Sequence, residues 1–286
     1  MTVTLPQDLP ALQAHARAVA DLLRLPFRSR AWRGAQGNWQ GVGSGNSLDF
    51  QDHRPYSPGD DPRHVNWQAY ARTGSYVMKL YRQEASPAVD LAIDLSASMF
   101  VDAEKSRRTA ELLYWAVESA EQAGAALRCY ALDEAGAEPL AIETILGHSW
   151  VKPAGPPAAE AIRGVPWRYG SLRVYLSDLL WSGDTQAVFH ALTENNGLGL
   201  ILAPFSRGEA EPDWSGNIEM VDSETQEVRL QRIEPEALRR YLAAYQRHFA
   251  IWEEQAARRQ VALARVAASL DLAEALRLQM PAVEWK

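Results

Sequence analysis

Apolar residues recur along this chain with two different periods, and the way the periods alternate predicts an architecture. Leu9, Leu12, Ala16, Val19, Leu22 and Leu23 fall at helical spacing, so residues 7–25 are expected to form an amphipathic helix that Pro26 ends. Residues 28–48, with RGAQGNWQGVGSGNS, read as a long surface loop. SYVMKLYRQEAS (75–86) alternates in part and suits a half-buried strand. VDLAIDL (89–95) predicts a buried strand, followed by a helix over about 102–123. The strand ALRCYAL (126–132), a short edge near 140–145, the buried strand LRVYLSDLL (172–180), a helix over about 184–195 and the strand in GLGLILAPF (197–205) continue the alternation. NIEMVDSE and QEVRLQRI read as a hairpin. Residues 234–259 form a long helix with Leu238, Leu242, Tyr245, Phe249 and Trp252 on one stripe, and VALARVAA and SLDLAEALRLQM supply a last strand and helix.

Buried strands alternating with helices specify an α/β fold, a doubly wound and mostly parallel sheet with helices on both faces. Residues 1–86 are expected to be an N-terminal accessory region and 87–286 the sheet domain, with the hairpin and long helix at about 217–259 a candidate elaboration.

Composition narrows the class of function. The chain has 286 residues, 47% hydrophobic and 23% charged, as an ordinary globular protein does. No apolar run approaches a membrane span, and the N-terminus lacks the basic and apolar regions of a signal peptide. A lone Cys129 rules out an internal disulfide and fits a reducing cytoplasm, where the protein is expected to reside. The net charge of −7 argues against nucleic acid as a partner. Arg24, Arg28, Arg30 and Arg33 near Trp32 and Trp39 are a local exception, read as a solvated loop rather than a stacking surface. The glycine-rich loop lacks the Gly-Lys-Ser/Thr ending of a phosphate-binding loop.

Candidate chemistry gathers at two strand ends. In an open parallel sheet, ligands bind outside the carboxyl ends of the strands. Asp94, Ser96 and Ser98 stand at that end of the first core strand, in D-L-S-A-S, and LRVYLSD places Asp178 at the tip of another. A carboxylate and two hydroxyls at alternate positions of a tight turn can face one point, as oxygen ligands suited to Mg²⁺. The bland alternative is that Asp94 caps the next helix while the serines bond the turn's own backbone.

Upstream lies a run crowded with charge, Pro and Gly. Pro58-Gly59 suits a type II turn, and Asp61 can cap a helix with Pro62 at its first position, running through Ala71 to Gly74. Arg54, Tyr56, Asp60, Asp61, Arg63, Trp67 and Arg72 would form a collar, with Asp49, Asp52 and Asn66 nearby. It serves either as an ion-pair clamp between the two regions or as a recognition surface for a partner.

These residues carry a resemblance. D-x-S-x-S-M after a buried strand, then a helix, then a later strand ending in Ser-Asp, resembles the von Willebrand factor A fold with its metal-ion-dependent adhesion site. The run RPYSPGDDPRHVNWQAYARTG (54–74), followed by Lys79, Tyr81 and Glu84, is similar to the signature of the domain-of-unknown-function 58 family. Those are bacterial von Willebrand A-like proteins typically encoded beside MoxR-type AAA+ ATPases. The likeness is dense over 49–99, fair to about 206 and thin beyond.

The resemblance implies that Asp94, Ser96, Ser98 and Asp178 hold Mg²⁺ or Mn²⁺, that a partner's carboxylate completes the shell, and that the partner is a MoxR-type AAA+ ATPase. Two departures qualify it. The loop that usually supplies a Thr ligand reads KPAGPPAAEAI (152–162) and offers no hydroxyl, and Asn66 stands where the family tends to have Asp before Trp67. Without the metal, the expected function is an interaction scaffold of the same fold. Catalysis is the least supported class. An aspartyl nucleophile would want a second Asp where Ser96 stands, no nucleophile elbow is present, and His53 and His64 lack the spacing of a metal pair.

Overall fold

Five nearly all-apolar strands lie side by side in parallel and set the frame of the molecule, a computed structural model that describes residues 4–27, 48–57, 65–83, 87–152, 161–180, 184–221 and 227–280. In chain order the elements are α1 (Leu9–Leu22), β1 (Leu48–Pro55), α2 (Trp67–Thr73), β2 (Val77–Gln83), β3 (Ala88–Asp94), α3 (Ala103–Gln122), β4 (Ala126–Asp133), β5 (Gly136–Leu140) and α4 (Ile142–Leu146). There follow β6 (Leu172–Leu176), α5 (Thr185–Thr193), β7 (Leu198–Phe205), α6 (Arg207–Ala210), β8 (Gly216–Val221), β9 (Val228–Ile233), α7 (Pro235–Arg259), β10 (Ala262–Ala267) and α8 (Leu272–Gln279).

The sheet order is β10-β7-β6-β3-β4-β5, parallel throughout except for the antiparallel edge strand β5. The expected edge near 140–145 lies earlier: Gly136, at φ 133°, follows the turn after Asp133 and lets β5 fold back on β4, and 142–146 is helical. Alternate residues of each strand serve opposite faces. Val89, Leu91, Ile93, Val174, Leu176, Leu200 and Leu202 pack into one core with residues of α1, α3 and α8. Ala92, Tyr175, Ile201 and Ala203 pack into a second core with α5 and α7. Helices therefore cover both faces, as the two-sided apolar strands require.

Contacts divide the chain into two units, residues 1–35 with 87–286, and residues 36–86. The expected accessory region is thus split, because α1 belongs with the sheet. Its Ala16, Val19 and Ala20 join the first core, and the Trp115 indole donates to the Leu23 carbonyl at 2.7 Å.

The smaller unit is a β1–β2 antiparallel ladder with α2 beside it in sequence. The expected helix start at Asp61–Pro62 lies outside the described residues, and the expected run from there unbroken to Ala71 does not form, since Val65 is extended and bridges Met78. Asn66 caps α2, its side chain accepting from the Ala69 amide at 3.1 Å. The expected stop at Gly74 stands, with φ 69°.

The polarity of the winding reverses beside β3. The helix after β3, α3, covers one face, whereas the helix after β6, α5, covers the other. Chain segments leaving β3 and β6 at their carboxyl ends part to opposite faces, which makes those two tips the topological switch point of the sheet. The opposite end of β3 is closed. There buried Asp90 accepts from Arg168 Nε at 2.7 Å, from the Arg168 amide at 2.8 Å and from Ser171 Oγ at 2.8 Å.

Candidate functional site

Asp94 is the last residue of β3, and the turn after it is shaped by its own carboxylate. Its Oδ1 accepts from the Ser96 amide at 2.8 Å, which bends the chain into a 3-10 turn over Ala97–Phe100. That turn sets the Ser96 and Ser98 hydroxyls 3.0 Å apart. Beside it β6 ends, and Ser177 donates its hydroxyl to Asp94 Oδ2 at 2.8 Å. Asp178 follows, tied by its amide to the Met99 sulfur at 3.1 Å and by its Oδ1 to the Leu180 amide at 3.0 Å. The Ser98 hydroxyl is near enough to Asp178 to favour its charged form. The four residues expected from sequence are therefore brought together. Asp94, Ser96 and Asp178 are each at most 2% exposed.

Three further side chains complete the cluster, none of them among the expected ligands. Lys105 lies one turn into α3, whose N-cap Asp102 accepts from the Lys105 amide at 2.8 Å. Helical side chains lean toward the N-terminus, so the Lys105 ammonium reaches back to the strand tips. It lies 2.8 Å from Asp178 Oδ2 and also contacts Glu209, and it is fully buried. Glu209 closes a capping box on α6, taking the Ser206 amide at 3.1 Å. The S-x-x-E spacing of 206–209 is a signal for that cap, though not for the ion pair. The third is Ser177, the neighbour of an expected ligand.

Electrostatics distinguish the acids. Burial, and then the nearby Asp178 charge, push Asp94 up to about 6. Burial works on Asp178 in the same direction, but the Lys105 ammonium outweighs it and Asp178 ends below the usual carboxylate range. Glu209 is raised by burial despite the same ammonium. Lys105 itself, which burial alone would lower, is held above its ordinary value by Asp178 and then Glu209. The ammonium serves Asp178 first, and no cation touches Asp94 among the described residues.

The hydroxyl pair closes on itself. Ser96 and Ser98 share one hydrogen bond of 3.0 Å, which spends one hydroxyl proton between them and leaves lone-pair capacity on both oxygens beside Asp94. An all-oxygen set of Asp94, Ser96 and Ser98 with Asp178 behind it fits a hard cation. Among the described residues no group of three or more His, Cys, Asp or Glu is arranged to hold a metal, so a cation here would depend on the hydroxyls. The loop expected to lack a Thr ligand falls mostly on 153–160, outside the described residues. Ser149 is spent at the end of α4, its hydroxyl 3.4 Å from the Thr144 carbonyl.

A strained turn abuts the site. Leu179 has φ 62°, a conformation costly for a large side chain, yet it is fully buried in the second core with Tyr245, Phe249 and Trp252 of α7. Its carbonyl meets His248 Nε2 at 2.7 Å. Helix α7 thus holds the turn that carries Asp178.

Of the expected collar, Asp60, Asp61 and Arg63 lie outside the described residues, and Arg54 is placed only by its backbone, opposite Met78. Tyr56 and Trp67 are exposed and share a ring cluster with Tyr70 and Tyr76, in which the latter two stack at 4.4 Å. Arg72 is exposed, with its Nε 3.4 Å from the Gln68 carbonyl.

Known proteins add a family and little else. A family model described as "Protein of unknown function DUF58" matches residues 52–251. No curated protein matches the chain. A solved structure, described as a conserved hypothetical protein BatB from Bacteroides thetaiotaomicron, is similar at 14% identity and a TM-score of 0.35, covering 68% of this chain and 98% of its own.

Proposed function

The chain belongs to the DUF58 family, and on that premise we propose that it is a non-enzymatic protein-binding module whose recognition site is the tip of β3 and β6. The reading takes the module to be von Willebrand factor A-like and an adaptor of a MoxR-type AAA+ ATPase, working in the cytoplasm without nucleic acid. What carries it is a pair of hydroxyls bonded to each other next to Asp94, a buried carboxylate with no cation of its own among the described residues, at the strand tips where an open sheet binds ligands. Mg²⁺ or Mn²⁺ would be held by Asp94, Ser96 and Ser98, with Asp178 behind them. The ion would supply a positive centre that a partner's carboxylate can complete. The protein's own part is to fix the hydroxyls through the Asp94 turn and to orient Asp94 through Ser177.

One observation favours a second reading of the same module. Lys105 already brings a positive charge into the cluster, and Asp94, Ser96 and Asp178 are almost wholly buried, which suits a scaffold that works without metal. On either reading Cys129 is filler, its thiol pushed up to about 12 by burial and then by Asp90. No helix among the described residues is long and apolar enough to cross a membrane.

The test is binding of the purified chain to a MoxR-type AAA+ ATPase by calorimetry, in Mg²⁺ and in chelator, with Asp94→Ala as control. Binding lost in chelator and in the variant is the expected result. Binding kept in chelator but lost in the variant selects the metal-free scaffold, and binding untouched by Asp94→Ala removes the strand tip from recognition. Turnover in phosphatase, esterase or nuclease screens that disappears in the same variant would overturn the non-enzymatic reading.

A further inference from the structure

The cation already inside the strand-tip cluster is the feature that a simple metal site does not need. Asp94, Asp178 and Glu209 are carboxylates with one ammonium among them, and that ammonium is covalently part of α3. Its position is imposed from several sides. Asp102 caps the helix that carries Lys105, and Glu209 is fixed by the Ser206 amide, while its carbonyl accepts from the Tyr241 hydroxyl at 2.9 Å. Lys105 is fully buried, so its charge is not screened by water and acts at close range on anything that enters beside Asp178.

We propose that Lys105 is a tethered counter-ion that competes with a divalent cation for the strand-tip carboxylates and so sets the cation affinity of the site. This rests on the strand tip being a recognition site. Two effects act together. The ammonium holds Asp178 Oδ2 in its own ion pair, and its charge repels a second cation at Asp94, Ser96 and Ser98. A built-in cation of this kind keeps the pocket folded when no metal is present and makes occupancy depend on cation concentration or on a partner that draws Lys105 away.

The experiment measures Mn²⁺ binding to the full chain by electron paramagnetic resonance of the free ion, with thermal unfolding alongside. It compares wild type, Lys105→Gln and the double variant Lys105→Gln/Glu209→Gln. The double variant removes one positive and one negative charge, which keeps the pocket foldable should the single variant fail. Both variants are expected to bind Mn²⁺ roughly tenfold tighter or more than wild type, by relief of like-charge repulsion. They should also recover thermal stability on Mn²⁺ addition, and adding Asp94→Asn should abolish both effects.

Affinity equal to or weaker than wild type in both variants overturns the inference. Wild-type binding that depends on Asp94 would still leave the metal-assisted reading standing in that case. Binding in the variants alone supports the inference and removes metal-assisted recognition from the wild-type chain. Binding in none of the proteins overturns both.

Discussion

Asp90 and Asp94 sit four residues apart on β3, face the same side of the sheet and are buried alike, yet the molecule completes them differently. Asp90 meets an Arg168 guanidinium, the Arg168 amide and a Ser171 hydroxyl, and the guanidinium also reaches the carbonyls of Val89 and Ala126. Asp94 receives the Ser96 amide and the Ser177 hydroxyl but no cation among the described residues, and the charge that bears on it is the like charge of Asp178. The first arrangement is a closed clamp that fixes the β3–β6 pairing. The second leaves a buried carboxylate at the strand tip without its own counter-ion. Burial therefore does not distinguish the two acids; incomplete compensation does.

Breaking the closed end should have the largest effect. Arg168→Met strands the Asp90 charge in the core, and urea unfolding should register a loss of about 3–5 kcal/mol at neutral pH. At the open end the equivalent cut is milder, because Asp94 can take up a proton. Ser177→Ala removes its hydroxyl donor and should cost about 2 kcal/mol near pH 8, falling well below that at pH 5 once Asp94 is neutral. A Ser177→Ala loss as large as that of Arg168→Met, and independent of pH, would erase the distinction. The smallest effect belongs to the other unit. Asn66→Ala removes the α2 cap for about 1 kcal/mol by thermal unfolding, whereas Asn66→Asp should retain it.

The sequence made the sheet legible because strands buried on both faces must be apolar at nearly every position, as in VDLAIDL and LRVYLSD. Asp94, Ser96, Ser98 and Asp178 were legible for a different reason: a doubly wound sheet places ligands at strand tips, and polar residues closing an apolar strand stand out. Lys105 was not, since a lysine in the first turn of a helix looks like any solvated surface residue until the fold buries it. The break at Val65 ahead of α2 was hidden as well, because it depends on a bridge to Met78 that local helix signals do not report. The grouping of α1 with the sheet was equally hidden. An amphipathic stripe says that a helix packs, not on which neighbour.

The sharpest measurement compares the urea stability of wild type and Asp94→Asn from pH 4 to pH 8 in chelator. Asp94 has a folded pKa of about 6 against an ordinary 3.8, so the folded state binds more protons than the unfolded state between those values. Wild-type stability should fall through this group as pH rises from about 4 to 6, by up to about 3 kcal/mol, and then level off. Asp178, shifted the other way, acts only at lower pH, and Glu209 contributes equally to both proteins. The account predicts that the Asn variant gains on wild type across that window and keeps its advantage to pH 8. A difference between the two proteins that does not change with pH would mean that Asp94 is as fully compensated as Asp90, and would contradict the reading of the β3–β6 tip as a site left open for a cation.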